Sequence, residues 1–184
     1  LNILKLLVEN QENEYSIRQI SKLRKINYKS AYENVKKLGK EGIISIKERG
    51  NISLCSFNRK FNDSVYIVEH SRLEEFLKNK NFRVMHDRLD NIDDQFILLL
   101  FGSHVKKRQT KHSDIDLLLI SKDPKNVRNE LELLPLNTHL THVTYEEFIS
   151  MLKSSNPTVV LETIKKNIIF FGIEDYYRLI KNAR

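Results

Sequence analysis

The chain has 184 residues, enough for one ordinary domain or two small ones, and its hydrophobic share of 40% supports packed cores and excludes wholesale disorder. Its longest apolar run, Phe96 to Phe101, is far too short to cross a bilayer, and nothing at the N-terminus reads as a signal peptide. The single cysteine, Cys55, excludes an intramolecular disulfide and a thiolate zinc site.

These features place the chain in the cytoplasm with no membrane partner, and Leu1 as first residue implies a natural start further upstream. The net charge of +7 is unevenly spread. Residues 1 to 60 hold 13 Lys and Arg against 6 acidic residues, whereas residues 61 to 184 hold 18 of each sign. Basic charge gathered at one end points to a polyanionic partner there.

In chain order, Leu4, Leu7 and Val8 form a short helical stripe. "SIRQISKL" then opens on Ser16 with Gln19 three residues on, a capping-box pattern, and sets Ile17, Ile20 and Leu23 on one helical face. After the break "RKIN", the segment "YKSAYENVKKLGKEG" predicts a helix with Ala31, Val35 and Leu38 inward and Gly42 as its stop. "IISIKERGNISLCSF" alternates apolar and polar residues on both sides of Arg49-Gly50-Asn51, the pattern of a β-hairpin.

This order of three helices and a basic hairpin resembles the winged helix-turn-helix domain through residues 1 to 58. The resemblance implies that the third helix enters the major groove of double-stranded DNA. Its outward face carries Lys29, Glu33, Lys36, Lys37 and Lys40. Lysines there suit phosphates, and Glu33 suits a cytosine amino group. Lys47 and Arg49 lie on the hairpin, near the DNA backbone in this reading. A solvated helix face also explains lysines at this spacing; the segregated charge and the hairpin favour DNA.

Residues 61–92 read as a helical connector. Leu73, Phe76, Leu77, Met85, Leu89 and Ile92 fall at mainly helical spacings around a polar "KNKN", and one long helix or two shorter ones both fit. The stripe suits packing within the chain or on a second copy.

"QFILLLFGS" predicts a buried strand feeding a turn. Ten residues follow Ser103, and then Asp114-Ile115-Asp116 leads into a second buried strand, "LLLI". Alternate residues of a strand share a face, so both carboxylates point the same way. Like charges so placed favour a cation between them, and hard oxygen ligands suit Mg²⁺ or Mn²⁺ completed by phosphate oxygens. Gly102 permits close backbone approach, Ser103 offers a donor to phosphate, and His104, Lys106, Lys107, Arg108 and Lys111 supply positive charge nearby.

Gly-Ser, ten residues, then Asp-x-Asp resembles the nucleotidyltransferase signature of the DNA polymerase β superfamily, and looks most like its minimal members. The resemblance runs from about Asp93 to the end. It includes the closing "NPTVVLETIKKNIIFFGIEDYYRLI", similar to the family's helix, short strand Ile168 to Phe171, glycine and last helix. It implies a nucleotide-phosphate turn at Gly102 and Ser103, beside which Lys106 is read as a further phosphate-binding residue, and metal-binding, catalytic carboxylates at Asp114 and Asp116. The family's third carboxylate, expected on a strand near Asn137 to Thr144, has no counterpart in "NTHLTHVT". His139 and His142 stand there, as proton acceptors, ligands of a softer metal, or structural residues. Lys107 replaces a glycine usual in the family's turn.

The expected fold is thus mixed α/β: a winged helix-turn-helix over residues 1–60, a connector over 61–92, and a minimal nucleotidyltransferase-like domain over 93–184 with a short mixed sheet and flanking helices. The expected function is a DNA-binding transcription regulator, a homodimer, whose second domain binds Mg-NTP. The alternative is active transfer of a nucleoside monophosphate from an NTP to a protein or small-molecule hydroxyl.

Overall fold

The computed structural model describes residues 1–106 and 113–183. The chain is mixed α/β and divides into two compact units, Leu1–Val68 and Glu69–Arg184.

In the first unit, helix α1 (Asn2–Glu9) precedes a two-residue strand β1 (Tyr15–Ser16), helices α2 (Ile17–Arg24) and α3 (Tyr28–Lys40), and the hairpin β2 (Ile44–Arg49) and β3 (Ile52–Phe57). The strands form an antiparallel sheet in the order β1-β3-β2. Ser16 caps α2: its hydroxyl accepts from the Gln19 N–H while the Gln19 side chain accepts from the Ser16 N–H. Asn27 does the same duty for α3, accepting from the Ser30 N–H at 2.8 Å. Leu4, Leu7, Ile20, Ala31, Val35 and Ile43 are fully buried, so the helical stripes meet in one core.

Two details depart from the sequence reading. Leu23 is exposed rather than inward, because α2 ends one residue later and Lys25 turns into left-handed backbone before another turn can cover it. Strand β1 was not anticipated, since two residues are too few to show alternation; its partners are Cys55 and Leu54 on β3.

Helix α4 (Asp63–Phe76) runs through the division between the units, and α5 (Lys80–Leu89) follows it. Two shorter helices are thus formed: the break falls at residues 77–79, and Asn79 of "KNKN" caps α5. The second unit is built on strands β4 (Ile97–Phe101), β5 (Ile115–Ile120), β6 (Thr138–Val143) and β7 (Ile168–Phe171). Their order is β6-β5-β4-β7, with β5 and β6 parallel and the other pairs antiparallel. A parallel neighbour needs a crossover, and helix α6 (Lys125–Glu132) supplies it. Helices α7 (Tyr145–Leu152), α8 (Val159–Lys165) and α9 (Ile173–Ala183) complete the unit.

Leu98 and Leu100, with Ile115, Leu117, Leu119, Ile168 and Phe170, share one core with Leu77, Phe82, Met85 and Leu89 and with Val127 and Leu131 of α6. The alternate residues Ile97, Leu99, Leu118, Ile120 and Ile169 are also buried, and α8 and α9 pack against β4. Cover on both faces is why β4 and β5 read as unbroken apolar runs instead of alternating ones. Among the described residues, no helix is long and apolar enough to cross a membrane.

Candidate functional site

Strand β4 is buried from Ile97 to Leu100 and delivers Gly102 and Ser103 just past its end. Antiparallel pairing sets Phe101 opposite Asp116. Gly102 then takes φ of +75°, and a Cβ added there would lie 2.0 Å from Asp116 Oδ2. Only glycine leaves the Asp116 carboxylate room against the turn. The turn closes with the Lys106 N–H donating to the Gly102 carbonyl at 3.1 Å, and the buried Val105 anchors it.

Strand β6 forms the other side of the site. Its parallel register places His139 opposite Asp116, with the ring Nδ1 3.6 Å from Asp116 Oδ1. Two residues earlier, the Asn137 side-chain amide donates to Asp114 Oδ1, while the Ile115 N–H donates to the Asn137 carbonyl at 2.8 Å. Asp114, Asp116, Asn137 and His139 thus line the same end of the β5–β6 pair. Asp114 is exposed and the Asp116 side chain about a third so, open to a ligand.

His142 does not join them. It lies an odd number of residues from His139 and so on the other face, with Nε2 3.0 Å from the Ser121 carbonyl oxygen. Of the two histidines read from the sequence as possible proton acceptors, only His139 reaches the carboxylates. His104 is likewise occupied. Its Nε2 is 3.2 Å from the Ser113 carbonyl oxygen, and its ring packs edge-on to Phe82.

Lys106, read as a phosphate ligand, donates to Glu162 Oε1 on α8 at 2.7 Å. That hydrogen bond and the adjacent charge hold the Glu162 carboxyl below the usual carboxylate range. Lys107, Arg108 and Lys111 lie outside the described residues. Among the described residues, no group of three or more His, Cys, Asp or Glu is placed to share a metal. Any cation here takes one or two protein side chains and completes its shell from phosphate oxygens or water, which is how Mg²⁺ is commonly held. The donors present fit that role: two carboxylates on one strand face and a glycine that leaves space beside them.

In the first unit, Lys29, Glu33 and Lys40 are exposed on the side of α3 away from Ala31 and Val35, with Lys37 on the flank. Lys36 is half-buried, its ammonium 5.4 Å from the ring centroid of Tyr32. Tyr28 and Tyr32 are exposed on α3 and stack on each other at 6.5 Å. The sequence reading passed over both, because aromatic residues in a helix normally point inward. A concavity of about 580 Å³ between α2, Tyr28 and the hairpin turn adds Arg18 and Lys22 to this side. Lys47 and Arg49 are exposed and share Glu14, at 3.2 and 3.9 Å.

Residues 87–175 match the family model described as Polymerase beta, Nucleotidyltransferase. This part of the chain is a nucleotidyltransferase-like domain. A solved structure described as "Crystal structure of the toxin-antitoxin with AMP-PNP" is similar at 20% identity over 57% of this chain and 83% of that one, with a TM-score of 0.37. No curated protein matches the chain.

Proposed function

We propose that the chain is a DNA-binding regulator whose nucleotidyltransferase-like domain binds a nucleoside triphosphate with a divalent cation. The observation that carries the nucleotide half is the fit of Asp116 against Gly102 at 2.0 Å from a would-be Cβ, because that spacing keeps a carboxylate and a bare backbone turn side by side. In this reading, the Gly102–Ser103 turn takes phosphate oxygens and Asp114 and Asp116 hold the cation. Ser103 donates to phosphate, and Lys106 exchanges Glu162 for the triphosphate. A bound cation would neutralise phosphate charge and align it.

Active transfer is the second reading, supported by His139 opposite Asp116, where an acceptor hydroxyl needs a base. Labelled ATP, CTP, GTP or UTP incubated with the chain and a cell lysate tests it. Label on any acceptor supports transfer, and its absence with intact nucleotide binding leaves the binding role.

The DNA half rests on charge and topology. Three helices, a strand order of β1-β3-β2 and a basic outward face on α3 suit a winged helix over residues 1–60, with α3 in the major groove. Lys29, Lys36, Lys37 and Lys40 would meet phosphates and Glu33 a base edge, with Lys47 and Arg49 beside the backbone. Such heads commonly read paired half-sites, so the complex should contain two chains per duplex. The full chain should bind duplex DNA with an affinity that falls steeply as salt rises. Reversing Lys36 and Lys37 to Glu should weaken binding by at least about tenfold, by removing phosphate contacts and adding repulsion. A mobility-shift titration with unchanged affinity for that variant contradicts the DNA reading.

A further inference from the structure

Tyr28, Tyr32 and Lys36 follow one another at four-residue steps along α3 and so form a single row on its surface. The two rings stack with centroids 6.5 Å apart and an interplanar angle of 27°, and the Lys36 ammonium lies 5.4 Å from the Tyr32 centroid. Tyr28 is 56% and Tyr32 43% exposed, so burial within the unit accounts for only part of each ring. Rings already packed on each other are pre-ordered, and a ligand that covers them costs little further side-chain entropy.

The surroundings restrict what that ligand can be. Beside Tyr28 opens the concavity toward the hairpin turn, whose lining includes Arg18, Lys22 and the exposed side chain of Ile52. With Lys29 and Lys36 on the helix, the rings stand among cations, and Glu33 is the acidic residue between them on α3. Apolar rings framed by cations fit a partner that is anionic at its rims and apolar further in. The major groove of a duplex is such a surface, with phosphates along both edges and the thymine C5-methyl on its floor; no other base presents a methyl group there. Both rings lie in the first two turns of α3, the part of a docked helix that meets base edges, and Lys37 and Lys40 in its last turn are left for the rims. We propose that Tyr28 and Tyr32 are specificity-determining residues that select thymine-containing duplex DNA by packing their rings on thymine C5-methyl groups. The proposal rests on the DNA reading and deepens it, from attraction to any duplex to preference for one base.

In the experiment, duplexes enriched by the full chain from a random-sequence pool are rebuilt with uracil in place of every thymine. The exchange removes the methyl group and leaves the hydrogen-bonding edge unchanged. Wild-type affinity should fall about tenfold, from two methyl groups at roughly three- to fourfold each. Tyr28→Ala with Tyr32→Ala should bind the thymine and uracil duplexes equally, with an unchanged circular dichroism spectrum because neither ring is buried. Tyr28→Phe with Tyr32→Phe should keep the preference, since the ring and not the hydroxyl makes the contact. Lys37→Glu with Lys40→Glu should weaken both duplexes by the same factor and leave the preference as it was. Equal wild-type affinity for the two duplexes overturns the proposal while DNA binding stands. So does a preference that persists without the rings, which would come from DNA shape, or one lost in the phenylalanine variant, which would come from the hydroxyls. A wild-type chain that binds no duplex at low salt removes the DNA reading, and this proposal with it.

Discussion

Gly102→Ala is expected to eliminate cation-dependent nucleotide binding while leaving the chain folded. An alanine Cβ would fall 2.0 Å from Asp116 Oδ2 and 2.9 Å from its Cγ, inside any allowed contact. The obstruction is the carboxylate to which the proposal assigns the cation, so relief requires Asp116 to swing away or the turn to shift off the strand end. Left-handed backbone at φ +75° adds a penalty on the order of 1–2 kcal/mol for any residue with a Cβ. Asp116→Ala in the same chain removes the obstructing carboxylate. Thermal unfolding should therefore recover part of the lost stability in the double variant, while nucleotide binding stays absent. Wild-type affinity in Gly102→Ala contradicts the role assigned to the turn.

Arg72→Ala should be the most destabilising single change in the second unit. Glu69 and Arg72, one helical turn apart on α4, are almost wholly buried and form an ion pair. The Glu69 carboxylate also accepts from the Tyr177 hydroxyl at 2.5 Å, and Arg72 donates to the Asn167 carbonyl at 2.7 Å. Burial, reinforced by the Glu69 charge, pushes the Tyr177 phenol well above its ordinary value, so it remains a donor at neutral pH. Truncating Arg72 leaves Glu69 buried without its cation, at a cost of about 3–5 kcal/mol. Replacing both members together, as in Glu69→Gln with Arg72→Met, should cost far less, because neither charge is stranded. Urea unfolding of the full chain measures this. A single variant within about 1 kcal/mol of wild type would show that the pair contributes no more than a surface contact.

What the sequence revealed and concealed follows from how each feature is encoded. The hairpin, the capping box and the buried strands are local, carried by alternation, by Ser16 with Gln19, and by the run from Phe96 to Phe101. The mixed sheet was expected only through the resemblance carried by Gly102-Ser103 and Asp114-x-Asp116; the strand–turn–strand pattern by itself marks just the β4 and β5 runs. Helix α6 was passed over, as only Val127 and Leu131 mark its inner face. The Glu69–Arg72 pair was invisible, since helical periodicity assigns charged residues to solvent. At the site, i and i+2 spacing put Asp114 and Asp116 on one face, but their partners on β6 depend on strand register. No sequence pattern reveals that Asn137 meets Asp114 or that His139 meets Asp116, whereas the odd spacing of His139 and His142 along one strand already sets them on opposite faces. The Lys106–Glu162 contact spans 56 residues and was equally hidden.

Cation-dependent NTP binding by the intact chain tests the proposed site most directly. Calorimetric titration of each NTP, with and without Mg²⁺ or Mn²⁺, should show binding strengthened by the cation in the wild type. The strengthening should disappear when Asp114 and Asp116 are both changed to Asn, because the remaining oxygens carry no charge to hold the ion against water. Nucleotide affinity that ignores the cation in the wild type, or that keeps its full cation dependence in the double variant, would contradict the assignment of these two carboxylates to a metal–nucleotide site.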